Sequence, residues 1–206
     1  NGIIVFEETE VDRFRLFFEE RFRDKDIRKF VPASGAATRM FKNLHEFRKQ
    51  YDPGQAAEEI FVEKDFNSVY YFFEHIRDFA FFEELKKVME EAGENIEECL
   101  QQKKFGVIID FLLEDKGLDY ASLPKGLLLF HDYEDGARMS IEEHLVESAE
   151  YCRNADGKLA IHFTVSPEHL QKFKDEIRRV QARYEGILNV GFEVSYSIQK
   201  PSTDTL

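Results

Sequence analysis

From residue 126 onward the chain alternates short apolar runs of strand length with amphipathic helical stretches. Gly126 to His131 and Leu159 to Val165 read as buried strands, Phe192 to Gln199 as a closing strand, and Ser140 to Cys152 as a helix. A later helix has Ser166 at its N-cap, Pro167 at its first position, and Leu170, Phe173, Ile177 and Val180 on one face. Strands separated by helices pair in parallel through right-handed crossovers. The expected fold is therefore α/β, a three-layer αβα sandwich around a mostly parallel sheet. The chain has the material for it: of 206 residues 43% are apolar, and five Pro and eleven Gly are too few for a collagenous or linker-dominated chain.

Upstream, Val11, Phe14, Leu16, Phe17, Phe18 and Phe22 form the stripe of a short amphipathic helix. Ile27 to Pro32 reads as a strand running into the small-residue turn Ala33-Ser34-Gly35-Ala36-Ala37-Thr38, which opens a helix through Met40, Phe41, Leu44 and Phe47. Asp52-Pro53-Gly54 breaks the pattern, and the residues up to about 102 read as almost continuous helix. The apolar run Phe105 to Leu113 fits a buried helix or a strand, with helix preferred. The chain thus divides into an N-terminal helix, 1–26, and an α/β domain, 27–206, that carries an all-helical insertion at about 53–113 and stops just past a strand, as the front part of a longer domain would.

Charge sharpens this division. The formal net charge of -13 makes the surface as a whole repel nucleic acid and anionic membrane, so neither is expected as a partner. Residues 54–102 hold thirteen acidic and four basic side chains, whereas residues 24–49 hold three acidic and seven basic. The 21 Phe, with no Trp, are expected to fill a largely helical core. Cys99 and Cys152 form no C-x-x-C pair, which argues against a disulfide framework or zinc ribbon and points to a reducing, cytoplasmic setting. The apolar runs are too short for a signal or membrane-spanning segment.

The basic stretch surrounds the turn 33–38. Small side chains let backbone N–H groups approach an anion, a following helix would aim its positive pole at the same place, and Arg39 and Lys42 add full charges. No Gly-Lys-Ser/Thr follows, so this is not a Walker loop. A plain strand-to-helix connection fits the same residues about equally well.

Ala33-Ser34-Gly35-Ala36-Ala37-Thr38-Arg39-Met40 resembles the A-G-G-x-G-T-R-L loop of sugar-nucleotide pyrophosphorylases, nucleotidyltransferases of the GT-A-type fold. The longer stretch from Lys29 to Lys42 closely resembles a bacterial family known by a domain-of-unknown-function label, number 4301, and that likeness runs through the whole chain. Leu123-Pro124-Lys125-Gly126-Leu127 is similar to the P-K-G segment of UDP-sugar pyrophosphorylases, and Phe192 to Gln199 is similar to a strand ending in Gln further along those enzymes. Ser34 and Ala37 stand where the signature has glycine. The spacing between the two main motifs is stretched by the helical block.

The resemblance implies a nucleotidyl transfer to a sugar 1-phosphate. Arg39 and Lys125 would act on the phosphates as the catalytic pair. Ala33, Ser34, Gly35, Ala36, Ala37, Thr38, Lys42, Gly126 and Gln199 would bind the nucleotide. The ligand would be a nucleoside triphosphate or a nucleotide sugar, with Mg2+ as cofactor and metal ligands that the motifs do not identify. Two alternatives stay open, a nucleotide-binding or sensing module without turnover and an interaction protein that uses the acidic, Phe-rich block. Of the other polar groups, His131 to Asp135 reads as a polar loop, His144 with Glu142 and Glu143 as a solvated helix face, and His162 as a satisfied core histidine. Neither cysteine sits in a nucleophile motif.

Overall fold

The structure, a computed structural model, describes residues 3–51, 61 and 63–200. The chain divides into two compact units, Asn1–Ala33 with Ile141–Leu206, and Ser34–Ser140. The first is termed the sheet unit and the second the helical unit.

The sheet unit is built on three parallel strands, β1 (Arg28–Pro32), β4 (Lys158–Val165) and β5 (Gly191–Ile198), in the order β1-β4-β5. Val31 lies opposite Phe163, and Ile161 opposite Val194. The central strand alternates strictly: Leu159, Ile161, Phe163 and Val165 are buried, while Ala160, His162 and Thr164 are half-buried on the other face. The buried face is covered by α8 (Leu170–Leu188), whose Phe173, Ile177, Val180 and Tyr184 recur at helical spacing and are buried, with the Phe163 and Phe173 ring centroids 6.3 Å apart. Ser166 and Pro167 start this segment as expected, through a 3₁₀ turn at Pro167–His169. It ends at Asn189, whose φ of 51° lies in the left-handed region, letting the chain return directly into β5. The connection β4-α8-β5 is the expected parallel βαβ unit.

Helix α7 (Ser140–Tyr151) begins where the helical unit ends, and its Ile141, Leu145, Ser148 and Ala149 are buried. The first helix, α1 (Glu8–Arg21), forms as the stripe predicts, but its Val11, Phe14, Leu16, Phe17 and Phe18 are all exposed.

Among its described residues the helical unit holds α2 (Lys42–Gln50), α3 (Val69–Glu74), α4 (Phe82–Glu91), α5 (Ile96–Gln101), α6 (Phe105–Leu113) and a hairpin of β2 (Leu129–His131) and β3 (Arg138–Met139). The nearly continuous helix expected over 54–102 is instead a set of short ones. Side-chain caps mark the restarts, with Ser68 accepting from the Tyr71 N–H and Asn95 from the Glu98 N–H. The part of that expectation on 54–60 and 62 lies outside the described residues. The ambiguous run 105–113 is a helix, apolar almost all round because it is buried, with Ile108, Ile109 and Leu112 fully covered. Around it phenyl rings interlock. Phe73 and Phe105 centroids are 4.4 Å apart, and Phe61 and Phe105 5.2 Å. Arg48 of α2 makes a fork with Asp110 of α6, Nη2 to Oδ2 at 2.9 Å and Nε to Oδ1 at 2.5 Å. Gly117 closes the turn after α6, where a Cβ would stand 1.8 Å from the Phe111 carbonyl oxygen.

One expected element is corrected. Gly126 to His131 is not a buried strand of the parallel sheet: Lys125–Leu127 is a 3₁₀ turn, and only Leu129–His131 is extended, paired antiparallel with Arg138–Met139. The buried Leu127 and Leu128 belong to the turn and its exit, while Phe130 and His131 are exposed.

Candidate functional site

The turn after β1 is held at its start and in its middle. The Ala33 N–H donates to the Thr164 carbonyl at 2.8 Å and so continues the sheet ladder. Further along, the Lys125 N–H donates to the Gly35 carbonyl at 2.9 Å, and Ala36 and Pro124 form an isolated antiparallel bridge. Residues 34–39 and 123–127, from motifs recognised separately in the sequence, are thus joined backbone to backbone within the helical unit. Pro124, within the second motif, is the residue facing Ala36. A proline with no N–H to offer suits this position, because the donor of the pairing is its neighbour Lys125.

Gly35, Ala36, Thr38 and Arg39 are exposed, and Ala37 is fully buried. The buried Ala37 methyl anchors the loop, and the Met40 N–H donates to the Ala37 carbonyl at 2.8 Å, which turns the chain before the helix. Space around Gly35 is open, so its lack of a side chain leaves the backbone approachable rather than relieving a clash. Helix α2 begins at Lys42, not in the loop itself. Residues 38–41 form an intervening turn. The helix has no side-chain cap and no acidic residue in its first turn, so its positive pole is uncompensated and carries a further cation, Lys42.

The charged groups differ in their commitments. Lys42 Nζ stands 3.7 Å from Glu46 Oε1, one turn along, with both side chains largely exposed. The Arg39 guanidinium and the Lys125 ammonium are exposed, and neither has an ion-pair or hydrogen-bond partner among the described residues. Gly126 is half-buried in the 3₁₀ turn. Gln199 belongs to the sheet unit, where its N–H donates to the Val165 carbonyl at 2.9 Å just past β5. Ala33 belongs to that unit as well. The remaining predicted residues, Ser34 to Lys42 with Lys125 and Gly126, lie in the helical unit. Chemically the arrangement offers two uncommitted cations, open backbone at Gly35 and Ala36 and an uncapped helix start, all suited to an anion and none to covalent catalysis.

Mg2+ would need oxygen donors. Among the described residues, no group of three or more His, Cys, Asp or Glu side chains is arranged to hold a metal ion. A magnesium ion of this kind is carried largely by phosphate oxygens and water, and no step is derived through one.

The other polar constellations have structural partners. His162 Nδ1 lies 2.8 Å from Ser195 Oγ and Nε2 2.9 Å from Ser197 Oγ, and its ring stacks on Phe30 at 5.4 Å. It is satisfied as expected, though half-buried on the open face of the sheet. The helix face around His144 is not simply solvated. Glu142 is 4% exposed and accepts a hydrogen bond from the Tyr184 hydroxyl at 2.9 Å. Burial, and then the nearby Lys29 ammonium, push the His144 imidazole below its usual range. Lys29 is paired with Glu147, holding that carboxyl below the usual carboxylate range. His131 to Asp135 forms the exposed hairpin loop, in which Asp135 accepts from Arg138 at 3.0 Å. Cys99 and Cys152 are free and buried, and burial pushes both thiols up, away from nucleophilic use.

No helix among the described residues is long and apolar enough to cross a membrane. The family model described as Domain of unknown function (DUF4301) matches residues 1–206, and the chain belongs to that family. No curated protein and no solved structure matches it.

Proposed function

We propose that this member of the DUF4301 family binds the phosphates of a nucleotide on the loop 34–42 and transfers its nucleotidyl group to a sugar 1-phosphate. The observation that carries the reading is the backbone junction of Gly35 and Ala36 with Pro124 and Lys125, which supports treating two separately recognised phosphate-type motifs as one site. The three parallel strands run in the order β1-β4-β5 and the loop follows the carboxyl end of β1, the kind of position at which parallel α/β sheets bind ligands.

In the reaction, an oxygen of the sugar 1-phosphate attacks the α-phosphorus of the nucleoside triphosphate. The bond between that phosphorus and the bridging β-phosphate oxygen breaks, and pyrophosphate departs with the electron pair. The protein supplies position and charge. Arg39 neutralises the departing phosphates, Lys125 meets the phosphate chain from the opposite segment, and Lys42 with the uncapped start of α2 adds long-range attraction. Neither proton transfer nor a covalent intermediate is required of a side chain.

One observation favours a second reading, a nucleotide-binding module without turnover. The Ala33 amide is spent in the sheet ladder and Ala37 is wholly buried, so the loop has fewer free amides than an all-glycine loop would offer. The discriminating experiment is a thermal-shift titration with nucleoside triphosphates in Mg2+ buffer, followed by pyrophosphate release with sugar 1-phosphates. Stabilisation with release supports transfer, and stabilisation alone supports the binding module. The absence of any stabilisation overturns both. Arg39→Ala is expected to weaken triphosphate binding by about tenfold, the loss of one charge-assisted phosphate contact. Unchanged binding in that variant would remove Arg39 from the site.

A further inference from the structure

The helical unit contains a cavity of about 370 Å³ that phosphate chemistry does not account for. It opens where both site segments continue. Met40, Phe41, Asn43 and Leu44, directly after Arg39, form one wall, and residues 128–130, directly after Lys125-Gly126-Leu127, form another. Parts of 66–72 and 78–81 close the remaining side, with Tyr120 behind. The cavity therefore adjoins the candidate phosphate loop through the chain itself.

Aromatic rings in contact build its walls. Phe72 and Phe79 centroids are 5.3 Å apart, and Phe79 and Phe81 stack at 5.1 Å and 12°. Phe81 meets Tyr120 edge-on at 5.7 Å and 84°, and Phe41 meets Tyr120 at 6.0 Å. Phe66 is 74% exposed and pairs with Tyr71 at 4.9 Å on the outer side. Among the described residues no Lys, Arg or His lines the cavity, and the one charged residue is an acid, Asp78, whose Oδ2 lies 2.9 Å from His75 Nδ1. An anionic group gains nothing inside it, and a sugar would lose the hydration of several hydroxyls against mostly apolar walls.

A few hydrogen-bonding atoms stand among the rings. The Asn43 Nδ2 donates to the Asn67 carbonyl at 3.0 Å, and the Tyr120 hydroxyl accepts from the Leu129 N–H at 3.2 Å. The Asn43 carboxamide oxygen and the Tyr71 hydroxyl have no hydrogen-bond partner among the described residues. Aromatic faces with sparse polar atoms and no cation match a planar, uncharged aromatic ring.

We propose that this cavity binds the aromatic ring of a phosphorylated ligand, the ring lying beyond the phosphates held by the loop. The phosphate half of that statement rests on the reading given above. The ring half rests on the cavity alone. On this assignment the helical unit, through Phe66 to Phe81, supplies the ring specificity of the site.

A neutral fluorescent probe, N-phenyl-1-naphthylamine, tests the cavity without phosphate. Saturable binding is expected to the wild-type chain and to fall by about tenfold in Ala80→Trp, which fills the space. Phe66→Ala removes an exposed ring outside the core and serves as the second variant should the larger side chain disturb folding. It is expected to weaken the probe by about threefold. Displacement of the probe by a nucleoside triphosphate identifies the ring as a nucleobase, and displacement by naphthyl phosphate alone identifies an aryl ester. Both outcomes support the assignment. No saturable probe binding, affinity unchanged in both variants, or displacement by neither phosphate ester overturns it. Tripolyphosphate, which carries no ring, separates the two readings. Its failure to bind removes the phosphate site, while the probe titration still decides the cavity.

Discussion

The sheet unit and the helical unit hold their cores by different means. In the sheet unit one strand, β4, alternates buried and half-buried residues without exception, and a single 19-residue helix covers its buried face. In the helical unit the elements are short, the longest among the described residues being α4 with ten residues, and the core is a network of phenyl rings around α6, beside which Arg48 and Asp110 form an ion-paired fork. Periodic backbone order in the first is replaced by side-chain interlocking in the second. The candidate site uses the second kind: its loop is fixed by a long-range backbone pairing and continues into the wall of a ring-lined cavity. An architecture of short helices leaves gaps between elements that a two-layer βα packing fills, and gaps of that kind are where ligands bind.

Substitutions can break or sharpen this contrast. The largest effect is expected at Phe163, fully buried at the centre of the regular sheet. Phe163→Ala should cost about 4 kcal/mol in urea unfolding, and a loss below about 2 would mean that the face collapses as readily as a ring cluster.

Next comes the polar fork of the helical unit. Arg48→Met leaves the mostly buried Asp110 carboxylate to Lys116 alone and should cost about 1–2 kcal/mol. Burial pushes the Asp110 carboxyl up, but the hydrogen bonds and charge of Arg48, with Lys116, outweigh it and hold the group below the usual carboxylate range. A carboxyl depressed in the folded state contributes stability above its unfolded pKa, and that contribution is lost as pH falls through the lower folded value. Asp110→Asn should therefore flatten the acid limb of a stability-against-pH curve. An unchanged limb would show the fork to be inert.

In the sheet unit the corresponding polar contact is smaller. Tyr184→Phe removes the donor to the buried Glu142 and should cost about 1–2 kcal/mol, measured by urea midpoint. The smallest effect has the opposite sign. Asn189→Gly relieves the left-handed residue between α8 and β5 and should stabilise by at most about 0.5 kcal/mol in thermal melts. A destabilised variant would show that the Asn side chain matters more than its φ.

Legibility in the sequence follows the same contrast. β1, β4 and β5 lie within a residue or two of the apolar runs read as strands, and Ser166-Pro167 marks the start of its helical segment, because run length and capping are local signals. Gly126 to His131 misleads because apolar content does not distinguish a buried 3₁₀ turn from a strand. Leu127 and Leu128 supply the hydrophobicity in both cases. The burial of Glu142 depends on Tyr184, 42 positions away, and no local pattern carries that. At the site, 33–39 is visible as a run of small residues, whereas 123–127 stands out only by its resemblance to a P-K-G segment. Their junction at Gly35 and Lys125 is a tertiary fact. So is the cavity, whose rings look in the sequence like ordinary core Phe until the short helices leave them facing a common space.

The hydrogen bond from Lys125 to Gly35 makes everything between those residues a closed excursion that leaves and returns at one point on the backbone. Closing such a loop costs conformational entropy that grows only with the logarithm of its length, about 0.6 kcal/mol for each doubling. Chains of quite different length could therefore be spliced between these two anchors while the junction keeps its register. The clasp is in this sense a socket, and the module plugged into it is exchangeable without rebuilding the clasp.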